Sequence, residues 1–235
     1  MTTLTAVAAA TPERPPSRRP SRLLLAGLLA GPLFTAVHVV AGVVKGHGYS
    51  PLRHPVSSLA LGPQGWAQIA NFVVCGVLVV LFAAGLRRAL RPGPGALAVP
   101  LLVTIWGVGL IGAGMFLTDP VAGYPTAATP LTWHGRLHDL AFSLPGFAAL
   151  TLAMLTAGVA FGRRGAGWFA GYSVLSGVAF GVLFVLATMG FSGVEPWASA
   201  AGMWQRVCVS VSWLWLVLLA VKLRRATPPN RDHSG

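Results

Sequence analysis

Acidic residues are nearly absent from this chain. Five Asp/Glu stand against seventeen Lys/Arg in 235 residues. Glu13 and Asp232 lie in polar end segments, which leaves Asp119, Asp139 and Glu195 in a mostly apolar body. Charge of either sign is scarce, at 9% of residues, against about 25% in soluble domains. So little charge cannot coat a soluble globule. Only Cys75 and Cys208 are present, each inside an apolar run. That excludes a disulfide framework and zinc-type cysteine spacing, and both read as small buried hydrophobes. The basic excess falls in short clusters between apolar runs, a membrane-topology pattern rather than a nucleic-acid groove, so no nucleic-acid partner is expected. No internal repeat or matched pair of broken helices marks a transporter.

What the chain does have is hydrophobic length. A bilayer-crossing helix needs about 20 mostly apolar residues. Six runs qualify, at 23–44, 67–86, 97–117, 137–161, 168–189 and 203–221. The expected fold is an all-α bundle of six transmembrane helices over residues 22–224, between disordered cytoplasmic tails at 1–21 and 225–235. Ser17-Arg18-Arg19 precedes the first run as in a secretion signal. That run is longer than a signal core of about 7–15 residues and is read as a retained helix.

Basic residues set the orientation. Arg14, Arg18, Arg19, Arg22, Arg87, Arg88, Arg91, Arg163, Arg164, Lys222, Arg224, Arg225 and Arg231 fall on one side, and Lys45, Arg53, Arg136 and Arg206 on the other. Thirteen against four, with an even number of spans, predicts cytoplasmic termini in a cell membrane. His47, His54, Ser57, Ser58, Asp119, Tyr124, His134, His138, Asp139, Glu195 and Arg206 then all lie at or near the outer face. The outer connections are also the longer ones, and long ordered loops are more often functional.

Within the spans, small-xxx-small pairs such as Gly27/Gly31, Gly158/Gly162, Gly167/Gly171 and Gly177/Gly181 are read as packing contacts inside the bundle. Pro145 should bend the fourth helix below His138. Trp66, Trp133, Trp197, Trp204 and Trp168 read as interfacial belts.

His134 and His138, four residues apart at the start of the fourth helix, share one face. Such a pair can bind one metal ion, with Asp119 as third ligand and His54 as fourth. A divalent ion such as zinc, with an open coordination position, would activate water. Asp119, Ser57 and Ser58 are then the catalytic candidates, the serines orienting substrate or stabilising an oxyanion. The same residues also make a purely structural hydrogen-bond cluster or a ligand site, with Tyr124, Asp139, Glu195 and Arg206 around it. Asp139 is turned about 100° from His138 and suits Arg136 or a neighbouring helix. Glu195 and Arg206 flank the last outer loop and are expected to pair or to reach the cluster.

Three stretches carry a family resemblance. They are Arg53-His54-Pro55-Val56-Ser57-Ser58-Leu59-Ala60-Leu61-Gly62 with Gly65-Trp66 and Asn71-Phe72; Thr118-Asp119-Pro120 with Gly123-Tyr124-Pro125, Trp133-His134-Gly135 and Leu137-His138-Asp139; and Gln205-Arg206-Val207. Over roughly 23–224 the chain resembles domain-of-unknown-function family 998. That implies a bacterial or archaeal multi-pass protein of the cytoplasmic membrane and no particular activity. Ser50-x3-His54, Asp119 and His134-x3-His138 are also similar in spacing to the zinc-holding residues of alkaline ceramidase-like membrane hydrolases. Those proteins have seven helices and carry the His pair on the last of them.

Three functions stay open. One is a non-enzymatic protein whose outer cluster is structural or binds a ligand. Another is an outer-face metal-dependent hydrolase of a lipid or amphiphile. The third is a small-molecule or ion transporter. Besides the bilayer, a lipid or amphiphilic ligand at the outer face is the partner considered, and the oligomeric state is open.

Overall fold

The computed structural model describes residues 22–46, 48–126 and 130–226. The expected tail 1–21, nearly all of 225–235, and His47 lie outside the described residues. Six helices are long and apolar enough to cross a membrane. They are α1 (Leu24–Lys45), α2 (Trp66–Ala89), α3 (Ala98–Met115), α4 (Trp133–Gly162), α5 (Gly167–Phe191) and α6 (Trp197–Arg225). The six expected runs are these six helices. α4 and α6 start a turn or more earlier than hydropathy suggested, because polar first turns continue into the apolar stretch.

Each helix packs antiparallel on the next in sequence, and α6 returns to α1, so the six close into a ring. The core is aromatic and aliphatic: Phe34, Phe82, Trp106, Phe180, Trp213 and Trp215 are all buried. Lipid cannot supply a hydrophobic drive between helices, so close backbone approach matters. Gly112 illustrates this, since a Cβ there would lie 2.0 Å from the Phe142 ring of α4. The Gly167/Gly171 pair is the exception to the packing expectation, with no neighbour within reach of an added Cβ.

Ahead of Pro145, α4 changes its hydrogen-bond pattern. Residues Leu137–Ser143 form a π-helical turn, and the Leu144 N–H reaches the Asp139 carbonyl five residues back. Proline has no N–H and its ring crowds the preceding turn. The widened turn accommodates it, and the helix continues. Single π turns of this kind concentrate at functional sites, and this one carries His138 and Asp139.

The two ends of the ring differ. One, the arginine-rich end, has short connections. The other, the polar end, carries the long connections, a 3₁₀ turn at Val56–Ala60, and every candidate residue named above that the structure describes.

Candidate functional site at the polar end

Arg206, on the third turn of α6, organises the first long connection. Its Nη1 donates to the carbonyls of Pro51 (2.6 Å), His54 (2.9 Å) and Gly202 (2.9 Å). Its Nη2 donates to the Tyr49 hydroxyl, and its guanidinium lies 5.8 Å from the Tyr49 ring centroid. The neighbouring Gln205 accepts from the Val56 N–H through Oε1 at 2.7 Å. One helix end thus collects backbone groups that an irregular loop would otherwise leave unpaired near hydrocarbon. Lys45 closes the far side of the loop by donating to the Leu61 carbonyl.

His54 is 6% exposed. Its Nδ1 accepts the Ser50 N–H at 2.8 Å, so that nitrogen carries no proton. The ring also bonds the Ala122 backbone, which assigns Nε2–H as donor to that carbonyl. Burial pushes its pKa below the ordinary 6.5; the Ala122 bond opposes the shift, and the charges of Arg53 and Arg206 add to it. His54 is therefore neutral. Ala122 sits at φ +53° in a tight turn closed by reciprocal Val121–Tyr124 backbone bonds. Left-handed alanine is unfavourable, and the surrounding contacts hold it there. Tyr124 stacks on His54 with centroids 5.1 Å apart, and Tyr49 meets Tyr124 edge-on at 5.3 Å. Burial raises the pKa of both phenols, and the Arg206 charge works against that shift at Tyr49.

Asp119 follows α3 and caps the approach to α4. Its Oδ2 accepts the Thr132 N–H at 3.0 Å and its Oδ1 the Thr132 hydroxyl at 2.7 Å. Thr132 in turn accepts the Gly135 N–H at 3.1 Å, the N-cap bond of α4. Such caps contribute about 1 kcal/mol, and here the cap is itself held by a carboxylate. Only glycine fits at 135, because a Cβ would lie 2.0 Å from Asp119 Oδ2. His138, buried one turn further on, donates from Nδ1 to the Phe116 carbonyl at 2.8 Å. That carbonyl sits at the end of α3, where helices leave acceptors unpaired.

The candidate ligands do not converge. His54 has both ring nitrogens occupied and Asp119 both oxygens. His134 is exposed and lies tilted against the Trp133 ring at 3.6 Å between centroids, whereas His138 points inward to Phe116. No group of three or more metal-capable side chains gathers among the described residues. The i, i+4 spacing shared a face in principle, but that face meets the end of α3 at His138 and the exterior at His134. The expected pairings also differ. Arg136 makes no ion pair with Asp139, nor Glu195 with Arg206, among the described residues; Asp139 and Glu195 are exposed. Arg206 instead serves carbonyls.

Beneath this layer Ser57 and Ser58, named above, join Gln68, Asn71 and His38, polar residues to which the sequence reading gave no role. Asn71 donates to the Phe34 carbonyl (3.1 Å) and to Gln68 Oε1 (3.3 Å). His38 donates from Nδ1 to the same Phe34 carbonyl at 3.0 Å. Ser57 and Ser58 are buried on the 3₁₀ turn. Ser58 Oγ and Gln68 Nε2 are fully buried with no partner among the described residues. The available signal was Gln68 and Asn71 at i, i+3 inside an apolar run, facing the same way as His38 on the adjacent span.

The profile of the family described as "Protein of unknown function (DUF998)" matches residues 28–222. No curated protein and no solved structure matches the chain. With most of its length matched, the chain belongs to that family. The three stretches quoted from the sequence are the ones stitched together here: His54 and Val56 to Gln205 and Arg206, His54 to Tyr124, and Asp119 to Gly135 through Thr132.

Proposed function

We propose, from membership of this family and six apolar spanning helices, that the chain is a non-enzymatic protein of the cell membrane. In this reading both termini are cytoplasmic, and the outer His/Asp/Arg cluster is a structural cap over a buried polar ligand site. The observation that carries it is the commitment of atoms. Every heteroatom of His54 and Asp119, and the fork of Arg206, is spent on backbone or on a neighbouring side chain. A hydrolytic centre needs the opposite, protein ligands around one point with a position left open. Ser58 Oγ and Gln68 Nε2 are the groups left to receive a ligand. An unsatisfied buried donor costs about 1–3 kcal/mol, so a small hydrogen-bonding molecule gains by filling it. The thirteen-to-four division of basic residues supports cytoplasmic termini.

The test is metal analysis of the purified protein, with thermal unfolding measured in zinc and in chelator. Wild type and the His134→Ala/His138→Ala double variant should carry the same substoichiometric metal, with midpoints insensitive to either addition. Stoichiometric metal in wild type that the double variant loses would replace the cap by a metal centre. A bound ion at 100 times its dissociation constant adds about 2.7 kcal/mol of stability, a shift the measurement cannot miss.

A further inference from the structure

Outside the ring, two cavities lie along α4. The larger, about 480 Å³, is lined by Trp133, Arg136, Leu137, Leu140 and Ala141. The smaller, about 170 Å³, lies between α3 and α4, lined by Thr104, Ile105, Val108, Gly109, Ala141, Phe142 and Pro145. Ala141 belongs to both, so they form one furrow running from the polar end toward the middle of the spans. Ala141, the small exposed residue inside the π turn ahead of Pro145, leaves it open, while Gly109 lets α3 and α4 close beneath it, since a Cβ there would lie 2.7 Å from the Phe142 carbonyl oxygen.

The furrow has a charged head and an apolar body. Arg136 is exposed, and its side chain makes no hydrogen bond or ion pair among the described residues. Asp139, the nearest acid in sequence, makes no ion pair with Arg136 among the described residues and is itself exposed. Trp133, exposed beside it, is the kind of residue that settles at headgroup level. Below them, apart from Thr104, the lining is apolar and the surroundings are hydrocarbon. Arginine matches a phosphate with a planar fork of donors, and an unpaired cation at that level favours an acidic headgroup over a zwitterionic one.

We infer that this furrow is a binding site for one anionic phospholipid of the surrounding leaflet, its phosphate on Arg136 and one acyl chain lying along Leu137, Leu140, Ala141 and Val108. The inference is independent of the cap and its ligand, because no furrow side chain takes part in the Arg206, His54 or Asp119 networks.

Native mass spectrometry of the intact protein, released from vesicles containing equal phosphatidylglycerol and phosphatidylcholine, tests it. Wild type should retain one phosphatidylglycerol in preference to phosphatidylcholine. Arg136→Gln should lower that retention about fivefold, the worth of one basic side chain at a charged surface. Arg53→Gln, another exposed arginine at the same end that lines neither cavity, should leave it unchanged. Ala141→Trp, which fills the shared part of the furrow, should lower it while the protein stays monodisperse. Equal retention of the two lipids by wild type, equal losses in Arg136→Gln and Arg53→Gln, or full retention in Ala141→Trp would each overturn the assignment. An aggregated Ala141→Trp leaves the two arginine variants to decide.

Discussion

Both ends of the helix ring use arginine to satisfy loop carbonyls, with different consequences. At the arginine-rich end, Arg87 donates to the Ala96 carbonyl at 2.8 Å, and Arg164 to those of Leu90 and Pro94. These arginines tidy short turns from a rim that faces water. At the polar end, Arg206 is half-buried and gathers three carbonyls and a phenol from two segments far apart in sequence. Histidine, aspartate and glutamine complete the work on the neighbouring loops. At the first end one arginine, Arg164, ties the α4–α5 turn to the α2–α3 turn, whereas at the second Arg206, Gln205 and His54 together tie α6 and two long connections to one another. Long connections next to hydrocarbon cannot leave their backbone groups to solvent, so they need side chains brought in from other helices.

Variants at matched positions sharpen the contrast. Arg206→Gln should be the most damaging change. It strips three carbonyls and Tyr49 of a charged donor and should cost about 3 kcal/mol. Arg164→Gln, at an exposed side chain that serves two carbonyls only, should cost about 1 kcal/mol. Thermal or denaturant unfolding in detergent measures both, and equal costs would erase the distinction. Next comes Gly135→Ala, where the new methyl would overlap the Asp119 carboxylate and should destabilise by about 2 kcal/mol. Gly171→Ala near the opposite end meets nothing and should stabilise by about 0.5 kcal/mol. Asp119→Asn should cost about 1.5 kcal/mol. An amide NH₂ would then face the Thr132 N–H or a hydroxyl that already accepts from Gly135.

The smallest effect concerns pH. The folded His54 has a pKa below 6.5, while the unfolded chain takes up a proton near 6.5. The unfolded state therefore binds more protons, and the stability held above pH 6.5 is lost as pH falls toward the folded value. The slope should be at most about 1.4 kcal/mol per pH unit. Unfolding at pH 7.5 and 5.5 should show a larger drop for wild type than for His54→Asn, and equal drops would place His54 in contact with water.

Much of this fold was legible because hydrophobic length is a local property. Each span announces itself without reference to its neighbours. The polar end was half legible. Asp119, His54, His138, Tyr124 and Arg206 stood out as polar residues next to hydrocarbon, and they do form the network's framework. Their partners did not stand out, because most are backbone groups: the carbonyls of Pro51, His54, Phe116 and Ala122 and the N–H of Ser50. Backbone groups occur at every position and leave no trace in composition. The same blindness made His134 and His138 look like a metal pair, since spacing on a helix says nothing about what stands opposite each ring. Gln68, Asn71 and His38 were lost inside runs whose mean hydropathy stayed high.

Hydrogen exchange tests the central claim of a rigid cap most directly. Loop amides normally exchange fast, but the N–H groups of Ser50, Val56, Thr132 and Gly135 are each held by a side chain from elsewhere in the network or its cap. Peptides covering 48–60 and 130–136 should exchange slowly, close to the flanking helices, and should lose that protection in Arg206→Gln and Asp119→Asn respectively. Peptides covering 91–97 should exchange faster than both in wild type. Rapid exchange throughout 48–60 and 130–136 in wild type would contradict the account, leaving the polar end a set of free loops.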